Sequence, residues 1–306
     1  CADTDDKEAE TQRNRLMTSL AAGDGEDVIV LSGLDDNALA KKGVLMDLSD
    51  IVTPMEENGE LLQAIVDGEK AADGKQQILP VRFALPLLLS KEKRASEMTD
   101  LAALAKAAEQ TDGSLLGTFT GEDLVETFAP YFMPDIIKDK QLDTEKLRTV
   151  LQELQTIAAH CDMVEKYKKG ERASNEWDLP SAMQAVLCQI SGFNDAMFDL
   201  AIINLVKGDY TSFENAYIPT VEIGVNANTK QADLAKEFAA FVMSREVQDG
   251  DFYDGFPVNK ESLHMQVSLD RSDYAAYTTI EGADGQEIGL DIEPIKAADA
   301  DKLEAL

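Results

Sequence analysis

The chain has 306 residues, enough for one large domain or two medium ones with ample core. It is 44% hydrophobic and 28% charged, which fits a soluble globular protein. A formal net charge of −30 argues against nucleic acid or an anionic membrane surface as partner, because both are gripped by basic patches.

In chain order, residues 6–22 read as a helix that GDG at 23–25 ends, as glycine does at helix C-termini. Residues 27–32, DVIVLS, form a short apolar run, which predicts a strand buried on both faces of a parallel sheet. Ser32 and Asp35 follow at its C-terminal end, where ligands sit in open α/β sheets. A helix is expected over 56–66, and a DGK turn at 73–75 leads into QQILPVRFALPLLLS. The most apolar stretch, FALPLLL at 83–89, is too short to span a bilayer.

Thr99 is expected to cap a helix through Ala108, and Thr120 another through Phe132. Residues 143–159 carry Leu147, Val150, Leu151, Leu154, Ile157 and Ala158 on one helical stripe. KYKKGERASNEWDLP is a polar loop holding Trp177, the one tryptophan. QAVLCQIS at 184–191 reads as a strand, with Phe193 and Asn194 just beyond it. Glu214 and Tyr217 lie near a return crossover.

Val221, Ile223 and Val225 alternate in a strand that ends in a turn, with Asn228 and Thr229 as cap candidates. The next helix places Leu234, Ala235, Phe238, Phe241 and Val242 at 3 and 4 spacing, predicting a stripe that faces a core. Gly255 and Pro257 then break the chain in GFPVN, and the tail beyond about residue 270 is poor in periodicity. Strands alternate with helices throughout, so the fold class is α/β.

GVNANTK, LAKEFAAFVMSREVQ and GFPVNK occur in that order over residues 224–260. Together they closely resemble the C-terminal half of family 1 extracellular solute-binding proteins, the ligand-capturing subunits of ABC importers typified by the maltodextrin-binding kind. AAGDGEDVIVL and KKGVLMDLSD match a second family stretch, with Glu26 in place of the usual proline. The resemblance covers about residues 8–263.

It implies a type II periplasmic-binding-protein fold, two α/β lobes with a hinge and an interdomain cleft. Residues 1–86 would begin lobe 1, 87–216 form lobe 2, 217–269 complete lobe 1, and 270–306 be a tail returning to lobe 2. It also implies a monomer with two partners, a small polar solute (a sugar or oligosaccharide as best guess) and a transporter permease, working outside the cytoplasm. The family's opening strand, helix and strand have no counterpart before residue 8, so a chain shortened at its N-terminus is expected. Cys1 is then either a lipid-bearing cysteine or an internal residue.

No G-x-S-x-G, phosphate-binding G-x-x-x-x-G-K-[ST] or H-E-x-x-H occurs. His160 and His264 stand alone, and Asp270 and Glu281 lack the inner ligands of a calcium loop. No catalytic residue, metal or cofactor is therefore assigned. Cys161 and Cys188 read as free, buried thiols. Binding candidates follow from position: Ser32, Asp35, Trp177, Phe193, Asn194, Glu214 and Tyr217 supply aromatic faces and hydrogen-bonding groups for a polar solute. Alternatives are a glycan-acting hydrolase with two facing carboxylates, or a sensory module of the same fold without transport.

Overall fold

A computed structural model describes residues 2–138, 141–250, 254–282 and 286–305. Cys1 lies outside them. The chain divides into two compact units, 1–84 with 218–269 and 85–217 with 270–306.

Unit 1 begins with α1 (Ala2–Ala21), β1 (Val28–Val30), α2 (Asp36–Lys41), α3 (Ser49–Glu57) and α4 (Gln63–Gly68). The helix expected over 56–66 is instead two helices. The chain turns at Asn58–Gly59, where Gly59 takes φ +74, a left-handed conformation that only glycine adopts freely. Strand β2 (Leu79–Ser90) gives its first half to unit 1 and its second half to unit 2.

Unit 2 continues with α5 (Leu101–Ala108), β3 (Thr118–Phe119), α6 (Gly121–Ile136), β4 (Ile137–Lys138), β5 (Gln141–Leu142), α7 (Thr144–Ala159) and β6 (Asp162–Met163). Then come β7 (Ala185–Ile190), α8 (Phe193–Val206) and β8 (Asp209–Ser212). Strand β7 pairs antiparallel with β2 through Leu85–Ser90, and β8 through Leu87–Ser90. A core gathers Leu88, Leu104, Leu115, Phe128, Ile157 and Phe213. Thr120 caps α6, as its hydroxyl predicts, by accepting from the Asp123 N–H. Asp100 caps α5 in place of Thr99: the carboxylate reaches the Ala103 N–H at 2.8 Å, and Thr99 donates to that carboxylate at 3.3 Å. On α7, Leu154 and Ile157 are buried, but Leu151, expected on the same stripe, is 51% exposed.

The chain re-enters unit 1 with β9 (Ile218–Val225), α9 (Ala232–Met243), α10 (Arg245–Gln248), β10 (Phe256–Pro257) and α11 (Lys260–Val267). Its strands run β1-β9-β2-β10, every neighbouring pair antiparallel. This corrects the parallel, doubly buried reading of residues 27–32. Only Ile29 of β1 is buried, and Val30 is 60% exposed, because β1 pairs on one side with β9 and its other edge carries no strand among the described residues.

The α9 stripe is also corrected. Ala235, Ala239 and Met243 face the core, while Leu234, Phe238 and Phe241 point outward. Neither expected cap holds α9. It begins after Gln231, whose N–H donates to the Thr229 hydroxyl at 3.0 Å.

The SREVQ…GFPVNK sequence has a physical basis in Gln248, which is fully buried. Its amide donates to the carbonyls of Val81 and Val242, and its oxygen accepts from the N–H groups of Val258 and Asn259. Four backbone groups from three separate segments are satisfied by one side chain, so the motif's two ends are locked together. Gly255 sits at φ +146, and a Cβ there would come within 2.4 Å of the Thr220 hydroxyl and 2.7 Å of Arg82 Cβ. Only glycine lets the chain approach β2 this closely. Asn259 then caps α11 through the Glu261 and Ser262 N–H groups.

Unit 2 closes with β11 (Ala276–Glu281), β12 (Glu287–Ile292) and α12 (Ala297–Glu304). The first two form an antiparallel hairpin, and Lys302 of α12 donates to the Tyr210 carbonyl at 3.0 Å. Among the described residues no helix is long and apolar enough to cross a membrane. Cys161 is half-buried and Cys188 buried, both as free thiols.

Candidate functional site

In unit 1 the loop after β1 is tied to β9. Leu31 N–H donates to the Glu222 carbonyl at 2.8 Å, and the Ser32 hydroxyl to the Thr220 carbonyl at 3.1 Å. Asp35 caps α2 by accepting from Ala38 N–H at 2.9 Å, which sets Asp36 in the first helical turn. Alternation along β9 buries Ile223 and Val225 on one side and turns Thr220 and Glu222 to the other. Glu69, at the C-terminal end of α4, meets Glu222 there. Asp36, Glu69 and Glu222 each offer a carboxylate oxygen within 4.8 Å of the others.

Three carboxylates this close cannot all ionise cheaply. Burial, then the charges of Glu69 and Asp36, push Glu222 up to about 8. Burial and Asp36 push Glu69 up to about 6. At neutral pH Glu222 therefore keeps its proton and donates to an ionised Glu69. The Glu222 Oε1 and Thr220 Oγ1 atoms are buried without a hydrogen-bond partner among the described residues. The cluster thus presents both donor and acceptor character, which suits a hydroxyl-bearing ligand. These three residues are also the group that could hold a hard cation, although three carboxylates fall short of a full calcium shell.

The other candidates lie in unit 2. Trp177 packs on Phe198 at 5.1 Å between ring centroids. Phe193 is 2% exposed and lies beneath the Arg271 guanidinium, 4.9 Å from its ring centre. Asn194 is half-buried, with Oδ1 lacking a partner among the described residues. Glu214 accepts from Leu101 N–H at 2.8 Å at the start of α5. Tyr217 is half-buried at the end of β8's following loop. So Phe193, Asp35 and Glu214 have packing and capping duties, whereas Ser32, Trp177 and Asn194 keep surface or unpaired polar atoms.

Asp36, Glu69 and Glu222 escaped the sequence reading. The one available signal was Glu222, an acid interrupting the alternating Val221, Ile223 and Val225. An acid on the outward face of a strand is ordinarily solvated, so that signal is weak.

The sequence profile of the bacterial extracellular solute-binding proteins matches residues 4–249. The chain belongs to that family. No curated protein matches this solute-binding protein. Among solved structures, an extracellular solute-binding protein family 1 member aligns at TM-score 0.59 and 15% identity, covering 85% of this chain and 73% of that one. The GacH receptor of Streptomyces glaucescens GLA.O, solved unliganded and with acarbose, aligns at 0.52 and 14%, covering 82% and 70%. A sugar transporter protein from Arthrobacter chlorophenolicus A6 with bound laminaribiose aligns at 0.51 and 15%, covering 83% and 70%. At such identities the likeness shows the fold, which is the type II periplasmic solute-binding fold.

Proposed function

We propose that this protein captures a small hydroxyl-rich solute, a sugar or oligosaccharide, outside the cytoplasm and delivers it as a monomer to the permease of an ABC importer. The observation that carries this reading is the family match over residues 4–249, joined by structural neighbours whose bound molecules are acarbose and laminaribiose. No bond is made or broken. The work is differential affinity between conformations. In unit 1 the proposed ligand-facing groups are Ser32, Glu69 and Glu222, whose free carboxyl oxygens accept from sugar hydroxyls. In unit 2 they are Trp177, whose ring suits a sugar's C–H face, and Asn194. Lipid anchoring is part of the same proposal and is tested by labelling cells with a clickable fatty acid.

The test is a thermal-shift screen against mono- and oligosaccharides, amino acids and polyamines. A ligand held only by the folded state stabilises by about 2.7 kcal/mol at a hundredfold excess over Kd. A raised midpoint with one sugar class, lost in Glu222→Gln, supports the proposal. A rise with amino acids alone, or hydrolysis of any glycoside, overturns it.

A further inference from the structure

Trp177 is held in place from two directions, both within unit 2. Its backbone sits in a single 3-10 turn, Glu176–Asp178, closed by a capping box. The Asn175 Oδ1 accepts from the Trp177 N–H at 3.2 Å, and the Asp178 carboxylate accepts from the Asn175 N–H at 3.0 Å. Arg172 donates to the same carboxylate at 2.9 Å, and the fully buried Leu179 roots the turn in the core. The Trp177 ring meets Phe198 of α8 at 5.1 Å between centroids, tilted by 57°. Such tilted pairs attract beyond the area they bury. Asn194 precedes Phe198 by one turn of α8, so the two share one helix face. Trp177, Phe198 and Asn194 are each only half-buried, and the Asn194 Oδ1 has no hydrogen-bond partner among the described residues.

We propose, resting on the reading that this protein captures sugars, that Phe198 and Asn175 are positioning residues that hold the Trp177 ring as a preformed platform for one pyranose ring. An indole free to rotate would have to be immobilised when the solute arrives, and that ordering weakens binding. With its backbone capped and its ring braced, Trp177 presents a flat apolar face before any solute is bound. That face suits a rigid ring with a C–H surface. An open-chain polyol carries the same hydroxyls but has no flat C–H surface, and it must lose its own chain freedom to lie on the platform. The platform therefore selects pyranosides over acyclic polyols. The Asn194 amide, on the helix face that braces the indole, supplies a polar partner for one hydroxyl.

The test follows Trp177 by its own fluorescence, since it is the one tryptophan. Each mono- and oligosaccharide of the thermal-shift screen is added to the full chain, with sorbitol and mannitol as open-chain controls. A sugar that raises the midpoint should also shift the Trp177 emission to shorter wavelength, and the polyols should do neither. Phe198→Leu should weaken binding of that sugar about fivefold and make the tryptophan of the free protein more open to acrylamide quenching. Phe198→Tyr, which keeps the ring, should restore both. Asn175→Ala, which leaves the ring pair in place, should give a smaller loss of the same kind. The platform is overturned, and solute capture left standing, by a sugar that raises the midpoint without moving the emission. Polyols bound as tightly as pyranosides, or Phe198→Leu with lowered stability but parent affinity, have the same meaning. No midpoint rise with any sugar overturns solute capture, and this inference with it.

Discussion

Two carboxyls, one in each unit, are both pushed up to about 8, and they differ in what pushes them. Asp199 in unit 2 is 8% exposed on α8, walled by Leu87, Leu89, Ala196 and Ile203. Its main burden is burial, with Glu176 and Asp195 adding charge and the Cys188 thiol, 3.7 Å away, donating to it and easing the burden slightly. Glu222 in unit 1 is only half-buried, and its neighbours are themselves carboxylates. Asp199 is thus held neutral chiefly by apolar walls, which salt and ligands leave in place. Glu222 is held neutral partly by charges that salt, protons or a ligand can alter. The first is a cost of the core, and the second is a property a binding site can use.

Both folded-state values lie above the ordinary carboxylate range. Each group therefore contributes stability that is fully present near pH 4 and is lost as pH rises to about 8. The largest effect should come from Asp199→Asn, which removes the demand for a proton. At pH 7 unit 2 should gain up to about 4 kcal/mol, and near pH 4 almost nothing. Trp177, the one tryptophan, lies in unit 2, so urea melts followed by its fluorescence read this unit directly. Identical pH dependence in variant and parent would remove the distinction drawn here.

Glu222→Gln should raise stability less, by about 1–2 kcal/mol at pH 7 after discounting for solvent screening. It should also make Glu69 titrate at a higher pH, since the proton donated by the Glu222 carboxyl is what lowers Glu69 and an amide N–H is a weaker donor. Carbon-detected NMR of the glutamate carboxyls follows this, and an unmoved Glu69 would show the two to be uncoupled.

Cys188→Ala removes the thiol donor and should drive Asp199 still higher, at a cost of about 1 kcal/mol that grows as pH rises. A loss equal at pH 4 and pH 8 would instead be a packing effect. The smallest response is to salt. At about 1 M the Debye length falls to about 3 Å, so Glu222 should titrate a few tenths of a unit lower while Asp199 stays put. Movement of both together would mean that charge, not burial, dominates in each.

Much of the fold was legible because its cues are local. The cap at Thr120, the strand at Ala185–Ile190, and the break at Gly255 and Pro257 follow from residue type and spacing. The link from SREVQ to GFPVNK was legible as a motif, and Gln248 supplies its reason. The face of α9 was not legible. Leu234, Phe238 and Phe241 make as good a stripe as Ala235, Ala239 and Met243, and spacing alone gives a period without saying which phase packs. The small alanines let the helix lie close on its neighbours, and that choice belongs to the neighbours. The carboxylate cluster was illegible for a related reason. Asp36, Glu69 and Glu222 are far apart in the chain, and each alone reads as a solvated acid.

The sequence by itself determined the alternation of helix and strand, the cap at Thr120, the family and the acidic field. Those rest on contacts between residues near one another or on sums over the chain. The tertiary structure alone decided the antiparallel order of the unit 1 strands, the buried side of α9, and the meeting of three acids on one strand face. Each of these depends on which distant surfaces come together, because pairing and burial are settled by packing between segments, and no window of sequence contains both sides of such a contact.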